Sequence, residues 1–208
     1  MTMSRKIIFL MMSMMILASN MRAQEESTVS ESRKKMIMNL MDYRYQGGFY
    51  TFEKLFNQEV TYPEELQKNC VMGIVILSFK VNCEGVLTDF SIKNSLDESI
   101  NYQLKKFMEL TRGHWNECKD DKYTRFEIPV QFKVKDTKTN TENAVLTCLG
   151  ESAGFVCNSD KYYIEKVQKL LEKGNGKKAA KYLEILIKRD PYNTEYYDMK
   201  KKALEFSK

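Results

Sequence analysis

The apolar residues of this chain change period several times, and each change marks an element. Ile7 to Ala18 is an apolar run of roughly a dozen residues, inside the ~7–15 of an export-signal core and short of the ~20 needed to cross a bilayer as a helix. From Tyr50 to Gln58 the period is helical, with Phe52, Leu55 and Phe56 on one face. Tyr62-Pro63-Glu64-Glu65 predicts a second helix start, because proline loses nothing in the first turn and acids there suit the helix dipole. That helix ends near Asn69-Cys70. The period then falls to two. Val75, Leu77, Phe79 and Val81 predict one strand, Asn82 to Gly85 a turn, and Val86, Thr88, Phe90 and Ile92 the inner face of a second.

Ser95-Leu96-Asp97-Glu98 has capping-box form and predicts a helix carrying Ile100, Leu104, Phe107 and Thr111 on one side. Trp115 and a charged loop follow. The third strand has the clearest alternation. Phe126, Ile128, Val130, Phe132 and Val134 alternate with Glu127, Pro129, Gln131, Lys133 and Lys135. A one-residue slip would expose the whole apolar set, so the register is specified. Pro129 cannot donate to a ladder, which places this strand at a sheet edge or Pro129 on its unpaired side.

The remainder reads as connections and helices. Residues 24–46 read as a tether with a helical turn near Met36–Met41, and Gly47-Gly48 as a break. Residues 136–159 read as a linker with a small hairpin from Ala144 to Cys157. Residues 160–208 are helical, interrupted at Gly174-Asn175-Gly176 and at Pro191. Tyr163, Leu170, Ala179, Leu183, Leu186 and Pro191 fall where a tetratricopeptide repeat places its core positions, with Val167 where that motif prefers glycine. This resembles one repeat plus a further helix, and stacked repeats need at least about three units. Each buried apolar side chain contributes about 1.5–3 kcal/mol, against about 1–2 kcal/mol of backbone entropy for every residue ordered. The tail is therefore expected to dock on the sheet domain, a second copy or a partner.

Charge changes this picture little. The chain carries 33 basic and 28 acidic side chains, a net charge of +5. Residues 1–23 read as a signal peptide cut after Ala23, which removes Arg5, Lys6 and Arg22 and leaves a net charge of +2. Such a chain makes no strong electrostatic claim on nucleic acid or anionic membrane. Export permits disulfides, and five cysteines leave at least one unpaired within the chain. Cys148 and Cys157 bracket a short Gly-containing loop and are the preferred pair. No Cys-x-x-Cys occurs and His114 is the single histidine, so no metal or cofactor site is expected.

The order Gly47-Gly48, Phe52, Tyr62-Pro63, Gly73-Ile74-Val75, Phe79-Lys80-Val81, Gly85, Leu96-Asp97-Glu98, Trp115 and Pro129-Val130-Gln131-Phe132 resembles the C-terminal domain of TonB-type energy transducers. The resemblance spans residues 47–135. It implies an α+β fold, a three-stranded antiparallel sheet with two helices on one face, here followed by a C-terminal α-helical hairpin. It also implies a periplasmic location and capture of an extended peptide by β-augmentation, in which main-chain hydrogen bonds give affinity and alternate pockets give specificity. The edge it points to is Phe126 to Val134, with Phe126, Glu127, Ile128, Gln131 and Lys133 as candidate contacts, and an outer-membrane transporter as one candidate partner. The chain departs from the family in having Glu117-Cys118 where Pro-Gly is common, and in having only three prolines, so no stiff Pro-rich spacer is present.

Three functions compete at this level. The first is an exported peptide-binding module. The second is a scaffold that joins partners through the sheet and the helical tail, or pairs with itself as a homodimer. The third, an enzyme, lacks a Gly-rich phosphate loop and a metal-ligand cluster. No catalytic residue and no small-molecule substrate are expected.

Overall fold

The computed structural model describes residues 29–119, 124–152 and 154–205. The expected signal peptide, its cut after Ala23 and the first residues of the tether lie outside them. Residues 29–44 form a helix, α1, where a tether is expected. Ile37, Met41 and Tyr45 recur at four-residue spacing and all three are buried in the main core, which is reason enough for the segment to fold. Gly47 and Gly48 adopt positive φ and turn the chain into α2, Gly48–Glu59. The short helix α3, Glu64–Lys68, starts after Pro63 as expected.

Among the described residues the sheet has four strands, β1 Gly73–Val81, β2 Leu87–Lys93, β3 Thr124–Val134 and β4 Leu146–Gly150, in the order β2-β1-β3-β4. The β1–β2 and β1–β3 pairs are antiparallel, whereas β3 and β4 run parallel. The α+β class holds, but the sheet is mixed and one strand wider than expected. The segment read as a hairpin pairs instead with β3. The alternation in β2 also differs: Leu87, not Val86, enters the core. Asp89 has positive φ where the β1–β2 register shifts between Ser78 and Lys80, and this bulge reverses the parity of the strand.

One face of the sheet carries the principal core. Val75, Leu77, Phe79 and Val81 of β1 and the five apolar residues of β3 meet Phe52 and Phe56 of α2 and Ile100, Leu104 and Phe107 of α4, Glu98–Leu110. The α4 helix starts two residues after the expected cap, at Asp97, whose carboxylate accepts the Ser99 N–H. Phe107 packs edge-on against Phe52 and Phe56, and Phe79 stacks on Phe126. Trp115 is buried among these rings. A Cβ on Gly85 would lie 2.5 Å from the Trp115 carbonyl oxygen, so only glycine lets the β1–β2 turn approach this segment. Arg44 closes the same end. Its fully buried guanidinium donates to the Asn82 and Asn116 carbonyls and to the Thr124 hydroxyl, so three separate segments share one cation.

The second face of the sheet meets the tail. Helices α5 Asp160–Glu172, α6 Gly176–Arg189 and α7 Thr194–Glu205 enclose a small core of Val167, Ala179, Leu183, Leu186 and Ala203. Among the described residues the tail has three helices, a hairpin and the further helix expected after Pro191. The end of α6 lies against β1: Asn94 donates to both the Ile74 and Lys188 carbonyls, and a Cβ on Gly73 would fall 2.2 Å from the Lys188 oxygen. Asp190 is buried and accepts from Asn140, Asn143 and the Tyr192 N–H. Arg189 is buried as well, donates to Asp160 and the Asn158 carbonyl, and covers the Tyr163 ring. The residues read as a linker therefore serve as the joint between sheet and tail. The tail thus packs on the sheet domain of its own chain, one of the three docking surfaces expected for it.

The cysteine pairing differs from the expected one. Cys70 bonds Cys157 and Cys83 bonds Cys118. Cys148 is a free, buried thiol. Its place on β4 points its side chain inward, where the thiol donates to the Val60 carbonyl, while Cys157 reaches back to the end of α3. Proximity in sequence misled here because Cys148 is held within β4 facing Val60, while the segment after β4 carries Cys157 to Cys70.

Candidate strand-recognition site

The expected recognition edge is not a free edge along its whole length. β1 pairs with β3 from Thr124 to Phe132, and β4 pairs with its other side from Val130 to Val134. Gln131 and Lys133, two of the expected contacts, are therefore in the sheet interior. Gln131 is buried and donates to the Asn140 carbonyl. Pro129 explains itself in this arrangement. Its carbonyl accepts the Val145 N–H at 2.9 Å, so its missing N–H lies on the β4 side, before the parallel ladder begins. The second of the two readings of Pro129 is the one that applies.

That same bond sets the parity of β3. Backbone groups of successive strand residues point to opposite sides. With Pro129 facing β4, the N–H and C=O groups of Arg125 and Glu127 face the same way, beyond the reach of β4. They have no hydrogen-bond partner among the described residues. Phe126 and Ile128 send their side chains into the core and their backbone groups to β1. The expected contacts thus separate: Glu127 lies on the unpaired half of β3, Phe126 and Ile128 frame it, and Gln131 and Lys133 are excluded from it.

A cleft of about 280 Å³ borders this half-edge, lined by Arg33, Met36, Ile37 and Leu40 of α1, by Arg125 to Glu127 of β3, and by Tyr192. Its wall is mainly apolar. Two guanidinium groups and one carboxylate stand at its rim. Arg33 lies 4.1 Å over the centre of the Tyr192 ring and donates to the Asn143 side chain, which fixes α1 against the tail. Burial pushes the Tyr192 phenol up to about 12, so it stays neutral and available as a donor. Glu127 is bound to Lys93. A shallower depression on the outer side of α1, lined by Lys35, Met36, Asn39, Leu40 and Tyr43 among others, shares Met36 and Leu40 with the cleft. The two form one continuous surface on which Met36 and Tyr43 are exposed. Sequence reasoning missed the α1 wall. The signal that could have found it is the second apolar row on the helix, Met36, Leu40 and Tyr43, beside the buried row of Ile37, Met41 and Tyr45.

Among the described residues no group of three or more His, Cys, Asp or Glu side chains could hold a metal ion. The free thiol is not an exposed nucleophile: burial pushes Cys148 up to about 11. Among the described residues no helix is long and apolar enough to cross a membrane.

No family model, no curated protein and no solved structure matches this chain.

Proposed function

We propose that this protein is a binding module that captures an extended segment of a partner protein along the unpaired half of β3. The reading rests on one observation. Arg125 and Glu127 present unsatisfied main-chain groups to a cleft with an apolar wall, and such groups are a template for an added strand. An incoming strand bonds at alternate residues, so the segment is roughly three residues long in its paired part. Arg33 and Arg125 outnumber Glu127 at the rim, and Glu127 is engaged by Lys93. The favoured segment is therefore apolar at its centre with a carboxylate beside it.

The resemblance to TonB C-terminal domains supports the same class of activity, and with it an exported, periplasmic setting and a link to transport across the outer membrane. The sheet order β2-β1-β3 with two helices on one face is compatible with that fold. The helical tail supports a single module rather than a two-ended scaffold, because it packs on the sheet of its own chain through Lys188, Arg189 and Asp190.

Titration of the isotope-labelled protein with short extended peptides, including segments from transporter plugs, tests the proposal. Amide shifts centred on Arg125 and Glu127 are expected. Glu127→Pro removes one outward N–H without breaking the ladder to β1 and should abolish binding. Shifts confined elsewhere, or affinity unchanged in Glu127→Pro, would refute it.

A further inference from the structure

The other edge of the sheet is of a different kind. Natural sheets blunt their edges with charge, proline, bulges or a covering helix. β2 is blunted: it carries Asp89 and Lys93, pairs Asp89 with Lys80, and holds a bulge. The free half of β3 is flanked by α1. β4 has none of these devices. Ala144 to Gly150 reads Ala-Val-Leu-Thr-Cys-Leu-Gly, with no charge and no proline. Leu149 is 63% exposed. Val145 donates to Pro129, so the N–H and C=O groups of Leu146 and Cys148 point away from β3, and they have no hydrogen-bond partner among the described residues.

We infer that β4 pairs antiparallel with β4 of a second copy, joining two four-stranded sheets across a two-fold axis at Thr147. The sequence is self-complementary about that axis. Leu146 of each copy faces Cys148 of the other, and each of these two pairs exchanges both of its main-chain hydrogen bonds. Four outward donors and four outward acceptors are satisfied together. Thr147 meets Thr147 of the second copy in a close, non-hydrogen-bonded pair, an arrangement that suits threonine side chains. Leu149 comes opposite Val145 of the second copy and loses its exposure. No like charges are set opposite one another between Val145 and Leu149. The groove beside β4, lined by Asn57, Thr61, Gln67 and Leu149 among others, leaves room for the approach. Five residues make a small contact, so the dimer is weak and concentration-dependent. It uses a different strand from the partner site on β3, so either can fail without the other.

Sedimentation of the oxidised protein over a concentration series should show reversible dimerisation. Thr147 is exposed, so Thr147→Lys leaves the fold intact, which its melting curve verifies. It places like charges directly opposite and should leave a monomer at all concentrations. In a Cys148→Ala background, Thr147→Cys should form an intermolecular disulfide on mild oxidation. The Cα separation of such a pair is about 4.5 Å, within disulfide range. Glu151→Cys, off the axis, should not crosslink. A concentration-independent monomer overturns the inference. A dimer that persists in Thr147→Lys overturns it as well, because the contact then lies on another surface.

Discussion

Removing the Cys70–Cys157 bridge should cost more than removing the Cys83–Cys118 bridge, and the reason is geometric. The bridge spans 87 positions of sequence. It ties the end of α3 to the segment that follows β4. Loop-closure entropy for a loop of that length corresponds to about 4.6 kcal/mol at 25 °C. The Cys83–Cys118 bridge, with a separation of 35, corresponds to about 3.8 kcal/mol on the same scale. Domains of this kind are stable by only about 5–15 kcal/mol, so the first bridge accounts for a large share of the total. The variant Cys70→Ser/Cys157→Ser should unfold in urea with its midpoint lowered by an amount equivalent to roughly 3–5 kcal/mol. The loss should also be local in origin. β4 has only five residues and pairs in parallel on one side alone. Without its anchor, the amides that hold it to β3, Val145 first among them, should exchange faster than those shared by β1 and β3. A loss below about 1 kcal/mol, or exchange that accelerates equally across the whole sheet, would refute the view that this bridge holds β4 in place.

Three further outcomes follow from single residues. Cys148 should resist alkylation in the native oxidised protein and take up one label after denaturation without reductant, as mass spectrometry would show, because its thiol is buried and pushed up to about 11. Gly73→Ala should destabilise the protein by about 1–3 kcal/mol, because the new Cβ meets the backbone of Lys188 rather than a yielding side chain; faster proteolysis between residues 136 and 159 would show the tail lifting, and an unchanged melting curve would contradict it. Burial raises the folded Asp190 carboxyl above its ordinary value, against the pull of hydrogen bonds from Tyr192, Asn143 and Asn140. The folded state then holds the proton to higher pH than the unfolded state, so this group's contribution falls as pH rises through that window and is largest below it. The advantage of wild type over Asp190→Asn in thermal melts should grow as pH is lowered through the acid range, and a pH-independent difference would refute the assignment.

Much of the sheet was legible because its patterns are local. The alternation from Phe126 to Val134 and from Val75 to Val81 depends only on neighbours two residues away, and both strands form where it predicts. What failed depended on contacts between distant segments. The row of Ile37, Met41 and Tyr45 is helical in sequence, but its polar surroundings resemble a tether until the sheet supplies something to cover. The segment Ala144 to Gly150 is apolar enough for a strand, yet nothing local says that its partner is β3 in parallel rather than itself in a hairpin. Cys148 and Cys157 are close in sequence but face different neighbours once β4 forms. For the site, Glu127 was legible and its α1 wall was not. Gln131 and Lys133 were assigned to the edge only because β4 had not been placed.

The placement of β4 changes what an edge-binding reading means for this chain. β-Augmentation needs a strand whose outer side is free, and the chain supplies its own strand to the C-terminal half of β3. Residues 130–134 are satisfied internally, and the Cys70–Cys157 bridge stands behind the strand that satisfies them. A partner segment is left with Arg125 to Ile128, about half the length of the edge, and with the side chains of α1 to make up the difference. Main-chain bonds alone would be few over so short a span, each worth about 0.5–1.5 kcal/mol net. Under the proposed function, affinity at this site comes mainly from apolar contact with Met36, Leu40 and Tyr192 and from charge at Arg33 and Arg125, which would make it selective for side chains rather than for any extended backbone. The bare outer edge of β4 is the opposite case. It offers backbone groups and neutral side chains, and with so little charge to discriminate among partners it best fits the one sequence guaranteed to match it, its own.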